Sequence, residues 1–405
     1  MVALLSPDRS APPALSPVAS AAPASLAEVP ATTALAELSL EERQRRLGLE
    51  LDALKRRVMA RLGADDVRYV KRLDRLSKTL EGVGRALIQL SPDPLSFGAG
   101  VVSLWLHKQL QATEIGHTAL HGAYDKLPGA EAFASTTFAW DVPIDEESWR
   151  AGHNLKHHGH TNIAGKDPDV DFGLIRLTEH TPHSPHHRRQ LWQTLFFLVP
   201  NFTAAMNLHF TGLSDVFREN GHTNRFDVLP DRSEASVRLA WRRTLRKYVP
   251  YYLRNYVAFP ALAGPLWPKV LLGNWLAETL RDVYTAATIL CGHVGADVAS
   301  WPEGAKATSR GAWYAMQIEA SNDFEVPRPL SILCGGLDRQ IEHHLFPTLP
   351  PERLRQIAPE VRAIAERHGF RYRTGSWPRV LRQALGHIAR LAKDGGARRV
   401  LGEVA

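Results

Sequence analysis

His343 and His344 stand side by side in the stretch "DRQIEHHLFPTLP". Neighbouring positions on a helix point about 100° apart, so two such rings rarely share one packing role. Other histidines repeat the pattern. "ATEIGHTALHGAYD" sets His117 and His121 four apart, and "WRAGHNLKHHGHTN" does the same for His153 and His157 with His158 alongside. "TILCGHVGAD" supplies His293 at the end of an apolar segment. A four-residue spacing puts two rings on one helix face, one turn apart. A lone helical histidine is usually a satisfied core or surface residue. Three clusters, each able to aim two or three imidazoles at one point, suggest metal binding instead. One ion takes about four to six ligands, so eight nitrogens suggest two ions. Imidazoles without thiolates suit iron, zinc or copper. No HExxH occurs, which argues against a zinc protease.

The elements that must carry these rings are helical. The chain has 405 residues, a formal net charge of +7, 44% hydrophobic residues and 18 histidines. Its two cysteines, Cys291 and Cys334, exclude a disulfide framework and a four-cysteine zinc site. Residues 1–38 are rich in Ala, Pro and Ser and read as a disordered tail rather than a signal peptide. Ser39 with Glu42 forms a capping box, and Leu47, Leu51, Leu54 and Val58 follow at helical spacing. That amphipathic helix either packs on the body or lies on an anionic membrane surface. Four apolar stretches follow, at 94–106, 191–213, 251–273 and 275–295. Each is short or interrupted, by three prolines in the third and by Glu278, Arg281 and Asp282 in the fourth. Flanking Trp and Tyr and basic intervening segments favour embedding in a membrane. The expected organisation is a tail (1–38), an amphipathic helical region (39–90), a catalytic core (91–350) and a helical C-terminal tail (351–405).

The order HxxxH, HxxxHH, a late single His and QxxHH resembles the histidine boxes of membrane fatty-acid desaturases. "EIGHTALHG", "HNLKHHGHTNIAGKDPDVDFG" and "RQIEHHLFP" read like the bacterial acyl-CoA and acyl-lipid branch, over roughly residues 45–378. The resemblance implies an all-α, membrane-embedded helical bundle with a cytosolic helical cap. The cap would carry a histidine-ligated dimetal site of two iron ions. That site would use oxygen and two electrons to introduce a double bond into a fatty acyl chain, held as acyl-CoA or acyl-lipid. By this resemblance the ligands are His117, His121, His153, His157, His158, His293, His343 and His344. Gln340 stands where some relatives carry a further histidine and is expected to orient a ligand or a water. Glu114, one turn before His117, is expected to hydrogen-bond a ligand ring from behind. Asp167, Asp169 and Asp171 either orient ligand rings or cap a turn.

Some histidines read differently. "EHTPHSPHHRR" contains His183, His186 and His187 in a box-like pattern, but Pro182 and Pro185 break any helix through it. It reads as a basic surface loop. His160 is expected to face away, and His107, His209 and His222 to be structural. "EIGH" and "ENGH" imitate the paired Glu-x-x-His of soluble di-iron bundles, but successive Asn and Gly disfavour a helix in the second. A lipid hydroxylase or ketolase uses the same boxes, and a non-redox zinc or metal-binding protein remains an alternative. No flavin fingerprint or cluster-binding cysteines occur, so the electrons must come from an external donor, a ferredoxin or haem protein with its reductase. The basic surface around Arg188 and Arg189 offers a dock for an acidic donor. Membrane lipid is an expected contact; nucleic acid is not.

Overall fold

Helices account for every regular element among the described residues of the computed structural model, which are 38–170, 172, 175–216, 231 and 233–393. Only two isolated bridges, Ile163 with Trp301 and Glu325 with Ser376, interrupt that pattern. Residues 1–37 of the expected tail, Asp171 and His222 lie outside the described residues.

The first helix, Leu40–Met59, starts directly after Ser39 and buries Leu47, Leu51, Leu54 and Val58. These side chains form one core with Tyr314 and Ile318 of the helix Arg310–Glu319 and with Leu354, Ile357 and Val361 of the helix Pro351–Arg367. Its apolar face is therefore spent on protein packing, and the membrane-surface reading of this helix falls.

A long antiparallel pair, Ala64–Leu90 and Pro94–Leu110, carries the first histidine box. Asp93 caps the second helix by accepting from Leu95 N and Ser96 N, and Pro94 takes the first position, where its missing N–H costs nothing. The two helices cross where side chains are absent. A Cβ on Gly84 would sit 2.7 Å from Leu104 N, and one on Gly100 would sit 2.9 Å from Ile88 N.

No described helix is long and apolar enough to cross a bilayer. Pro94–Leu110 has 17 residues. The 191–213 stretch is divided among Gln190–Gln193, a π turn Thr194–Leu198, a 3-10 turn Val199–Asn201 and Phe202–Phe210. The helix Trp267–His293 is 27 residues long but places Glu278, Arg281 and Asp282 in the protein interior. There they build an ion network. Lys108 Nζ donates to Tyr251 Oη at 2.9 Å and to Glu278 at 3.1 Å. Arg281 donates to Glu278 at 3.0 Å and to Thr203 Oγ1 at 2.8 Å. Burial pushes the Asp282 carboxyl up to about 6, although Arg281 beside it pulls the other way. Buried charges of this kind survive because they are paired.

Candidate metal centre

Four helix ends deliver the histidines. Pro94–Leu110 continues without a break into a π turn, Gln111–His117, then Thr118–Leu120, with His121 at its C-cap. Glu146–Trp149 likewise runs into a π turn, Arg150–His157, and then His158–His160. His293 is the last residue of its helix. His343 and His344 sit on the short helix Gln340–Leu345. A π turn bonds i to i+5 and widens the helix locally, a device common at functional sites. The first one needs Gly116, because a Cβ there would meet Trp140 Nε1 at 2.1 Å. That indole donates to the Gln111 carbonyl within the π turn at 2.9 Å.

The rings converge on two foci. His117, His121, His153 and His343 each offer a nitrogen within 4.8 Å of the others, and so do His157, His293 and His344. His117 Nε2 and His121 Nε2 are 3.2 Å apart, as are His157 Nε2 and His344 Nε2. His158 lies between the foci, stacked on His344 at 4.4 Å and edge-on to His121 at 4.7 Å. Both of its ring nitrogens are buried without a hydrogen-bond partner, as are Nε2 of His153 and Nε2 of His343. Buried polar atoms are normally satisfied, so these ring nitrogens fit a role as metal ligands.

The outward-facing nitrogens are held by the protein. Asp167, fully buried, accepts from His157 Nδ1 at 2.9 Å and also from the backbone of Asn162 and Asp169. Asp169 meets His153 Nδ1 at 3.2 Å. His344 Nδ1 faces Gln317 Oε1 at 3.0 Å and Thr161 Oγ1 at 3.1 Å. His293 Nδ1 faces the Ala320 carbonyl at 3.3 Å. Gln340 puts its amide 2.6 Å from His293 Nε2, on the side that faces the cluster. Trp149 stacks on His153 at 4.5 Å, and Phe210 approaches the same ring edge-on at 6.5 Å, forming an apolar wall.

Burial holds His117 down at about 3 and keeps His121, His153, His158, His293, His343 and His344 well below the ordinary imidazole value. Neutral imidazole is the metal-binding form. His157 differs: burial opposes its charge, but Asp167 and Asp169 lift it to about 9.

One expected role is not met. Glu114 makes its bonds away from the histidines, to Arg355 at 2.7 and 2.9 Å and to Tyr69 Oη at 2.6 Å. It ties the first box to the helices Ala64–Leu90 and Pro351–Arg367. The box-like stretch contributes no histidine to either focus, and His186 faces Ser184. It is not a helix-free surface loop, because Pro185 takes the first position of a 3-10 turn, Pro185–Arg189, that buries His187. His160 turns to the Lys156 carbonyl at 3.2 Å. His107 joins Glu81 and Asp141 in a further group that could hold an ion, but Arg85 and Arg254 already pair with those two carboxylates. Gln317 and Asn162 escaped the sequence reading. Asn162 has a left-handed φ of 57° and donates to the carbonyls of Ala299 and Ala320, at 3.0 and 3.2 Å. It lies four residues after His158, and that closeness to the second box was the available signal; Gln317 comes from a separate helix and gave none.

Helices whose ends gather histidines around two foci are able to hold metal at both. The fatty acid desaturase family model matches residues 93–376. Over 345 residues the chain is 34% identical to the NADPH-dependent stearoyl-CoA 9-desaturase of Mycobacterium tuberculosis, covering 82% of this chain and 76% of that one. It is 23% identical over 265 residues to the sn-1 linoleoyl-lipid 6-desaturase of a Synechocystis species (64% and 70% covered). It is 29% identical over 329 residues to the acyl-lipid (7-3)-desaturase of Diacronema lutheri (75% and 64%). The chain belongs to the fatty acid desaturase family, and it is an oxidoreductase.

Proposed function

We propose that this desaturase acts on a fatty acyl chain carried as acyl-CoA or acyl-lipid, with two iron ions at the two histidine foci. The observation that carries the reading is the donor set: eight imidazoles around two points, with buried ring nitrogens of His153, His158 and His343 left without partners. His117, His121, His153 and His343 would hold one ion, and His157, His293 and His344 the other, with His158 between them. Gln340 is placed to add its amide to the second. Iron held there supplies the oxygen activation that an unactivated methylene requires and that acid–base side chains cannot provide.

The chain's own residues do the positioning. Asp167 keeps a proton on His157 Nδ1, which leaves the Nε2 lone pair facing the focus. Asp169 does the same for His153, and the Gln317 carbonyl for His344. Trp149 and Phe210 keep water from the His153 side. The two electrons come from an external donor, a ferredoxin or haem protein with its reductase.

Membrane contact is part of this reading. Leu253, Val257, Leu262, Leu266, Trp267, Leu272 and Trp275 expose apolar side chains along consecutive helices. Exposed apolar surface on that scale marks a membrane or partner face.

The test is iron and zinc per chain on anaerobically purified protein, followed by mass analysis of the acyl product. About two irons and a product lighter by two hydrogens support the reading. Zinc without iron overturns the metal assignment, and a product heavier by one oxygen overturns the double bond.

A further inference from the structure

The C-terminal helix Trp377–Leu391 buries Val380, Ala384, His387, Ile388 and Leu391. Its opposite side exposes Arg379, Arg382 and Arg390, with Lys393 just beyond its end. At about 100° per residue the three arginines fall within about 80° of arc. The box-like loop docks on this helix. His183 Nε2 meets the Ala392 carbonyl at 3.2 Å, and the Gln190 amide donates to the Ile388 carbonyl at 2.6 Å. That docking brings exposed Arg188 and Arg189 beside the helix end. A groove of about 540 Å³ opens there, lined by Arg188, Leu191, Trp192, Ala389, Ala392 and Lys393.

Two further facts say what fits. Stretches 180–213 and 371–393 contain no Asp or Glu, and the acidic residues that immediately flank them in sequence are Glu179 and Asp394, so the six cations outnumber their acidic neighbours along the chain. Beside them Trp192 is 63% exposed, Phe196 60% and Phe197 71%, with Trp192 and Phe196 stacked at 5.3 Å. An acidic protein partner would account for the cations but not for three bare aromatic rings. Cations next to exposed aromatics match the boundary of an anionic bilayer, where phosphates meet acyl chains.

We propose that this face binds the headgroups of anionic phospholipids. Arg188 and Lys393 take a headgroup phosphate in the groove, Arg379, Arg382 and Arg390 extend along the surface, and Trp192, Phe196 and Phe197 enter the acyl boundary. The proposal rests on the membrane-contact reading and adds a lipid class and a place.

The experiment is flotation of the full chain with vesicles of phosphatidylcholine alone or with phosphatidylglycerol added, across a salt series. Wild type should prefer the anionic vesicles, and Arg188→Gln/Lys393→Gln should lose that preference by roughly fivefold per cation. Arg379→Gln/Arg382→Gln, exposed on the helix, provides a second test by the same measure. Arg56→Gln/Arg72→Gln, exposed on the first two helices, should retain the preference. Equal binding of wild type and variants to both vesicles overturns the proposal while leaving membrane contact intact. Binding to neither overturns both. Unchanged lipid preference with weakened turnover by a reduced acidic donor assigns the face to the donor instead.

Discussion

His157 and His344 are 187 positions apart in the chain, yet their Nε2 atoms lie 3.2 Å from one another. Each ring is held from behind, His157 by Asp167 and His344 by Gln317 and Thr161. Two buried imidazole nitrogens aimed together in this way form a place for a cation. His343, the neighbour of His344, turns instead to the other focus.

Single-ligand variants should therefore separate the foci. His344→Ala should deplete metal from the His157–His293–His344 group, and His343→Ala from the other. Both should abolish turnover while the protein still accumulates. His186→Ala should leave metal content and activity near wild type. Metal analysis of the purified variants checks this, and full activity in His343→Ala would remove that residue from the set.

Asp167→Asn should weaken metal binding without unfolding the protein. The amide removes the charge that fixes the His157 proton on Nδ1, and losses of about 10–100-fold accompany such changes behind a ligand. Titration of metal into the stripped protein reads the effect. An unchanged affinity would mean that Asp167 serves the turn through Asn162 and Asp169, and not the ring.

Arg355→Met should destabilise the fold strongly. It leaves the fully buried Glu114 carboxylate without its cation, and breaking a buried pair costs about 3–5 kcal/mol. The double variant with Glu114→Gln should recover part of that loss. Thermal melts compare the two, and a Tm for Arg355→Met within error of wild type would contradict the packing role.

The metal-free protein should lose stability in acid. Unfolded histidines take a proton near 6.5, whereas burial keeps seven of the eight neutral well below that, His117 to about 3. Their contribution is present above 6.5 and is lost as pH falls toward 3. His157 has the opposite sign: its contribution is complete below 6.5 and fades as pH rises through about 9. Melting temperature should peak near neutral pH. A Tm that stays flat down to pH 4 would count against a buried neutral cluster.

Much of the site was legible because its chemistry is local. Four-residue spacing and adjacent pairs pointed to seven of the histidines, the family resemblance added the single His293, and the acidic run after the second box pointed to Asp167 and Asp169. The amphipathic pattern of Leu47, Leu51, Leu54 and Val58 named a buried face, although not its partners. Long-range pairing was not legible. The apolar stretch at 275–295 carries Glu278, Arg281 and Asp282, and the residues that pair with them, Lys108 and Thr203, lie far away in sequence. Glu114 looked like a neighbour of His117 by spacing, yet Arg355, 241 positions later, takes its carboxylate.

The sequence by itself determined which side chains could bind metal and that the elements carrying them are helices. Only the tertiary structure decided which rings share a focus. Spacing fixes the relation of residues within about one helical turn, and the π turns at Gln111–His117 and Arg150–His157 alter even that relation. Bringing His153 to His343, or Gln317 behind His344, depends on how separate helices pack, and packing is settled by the whole core at once.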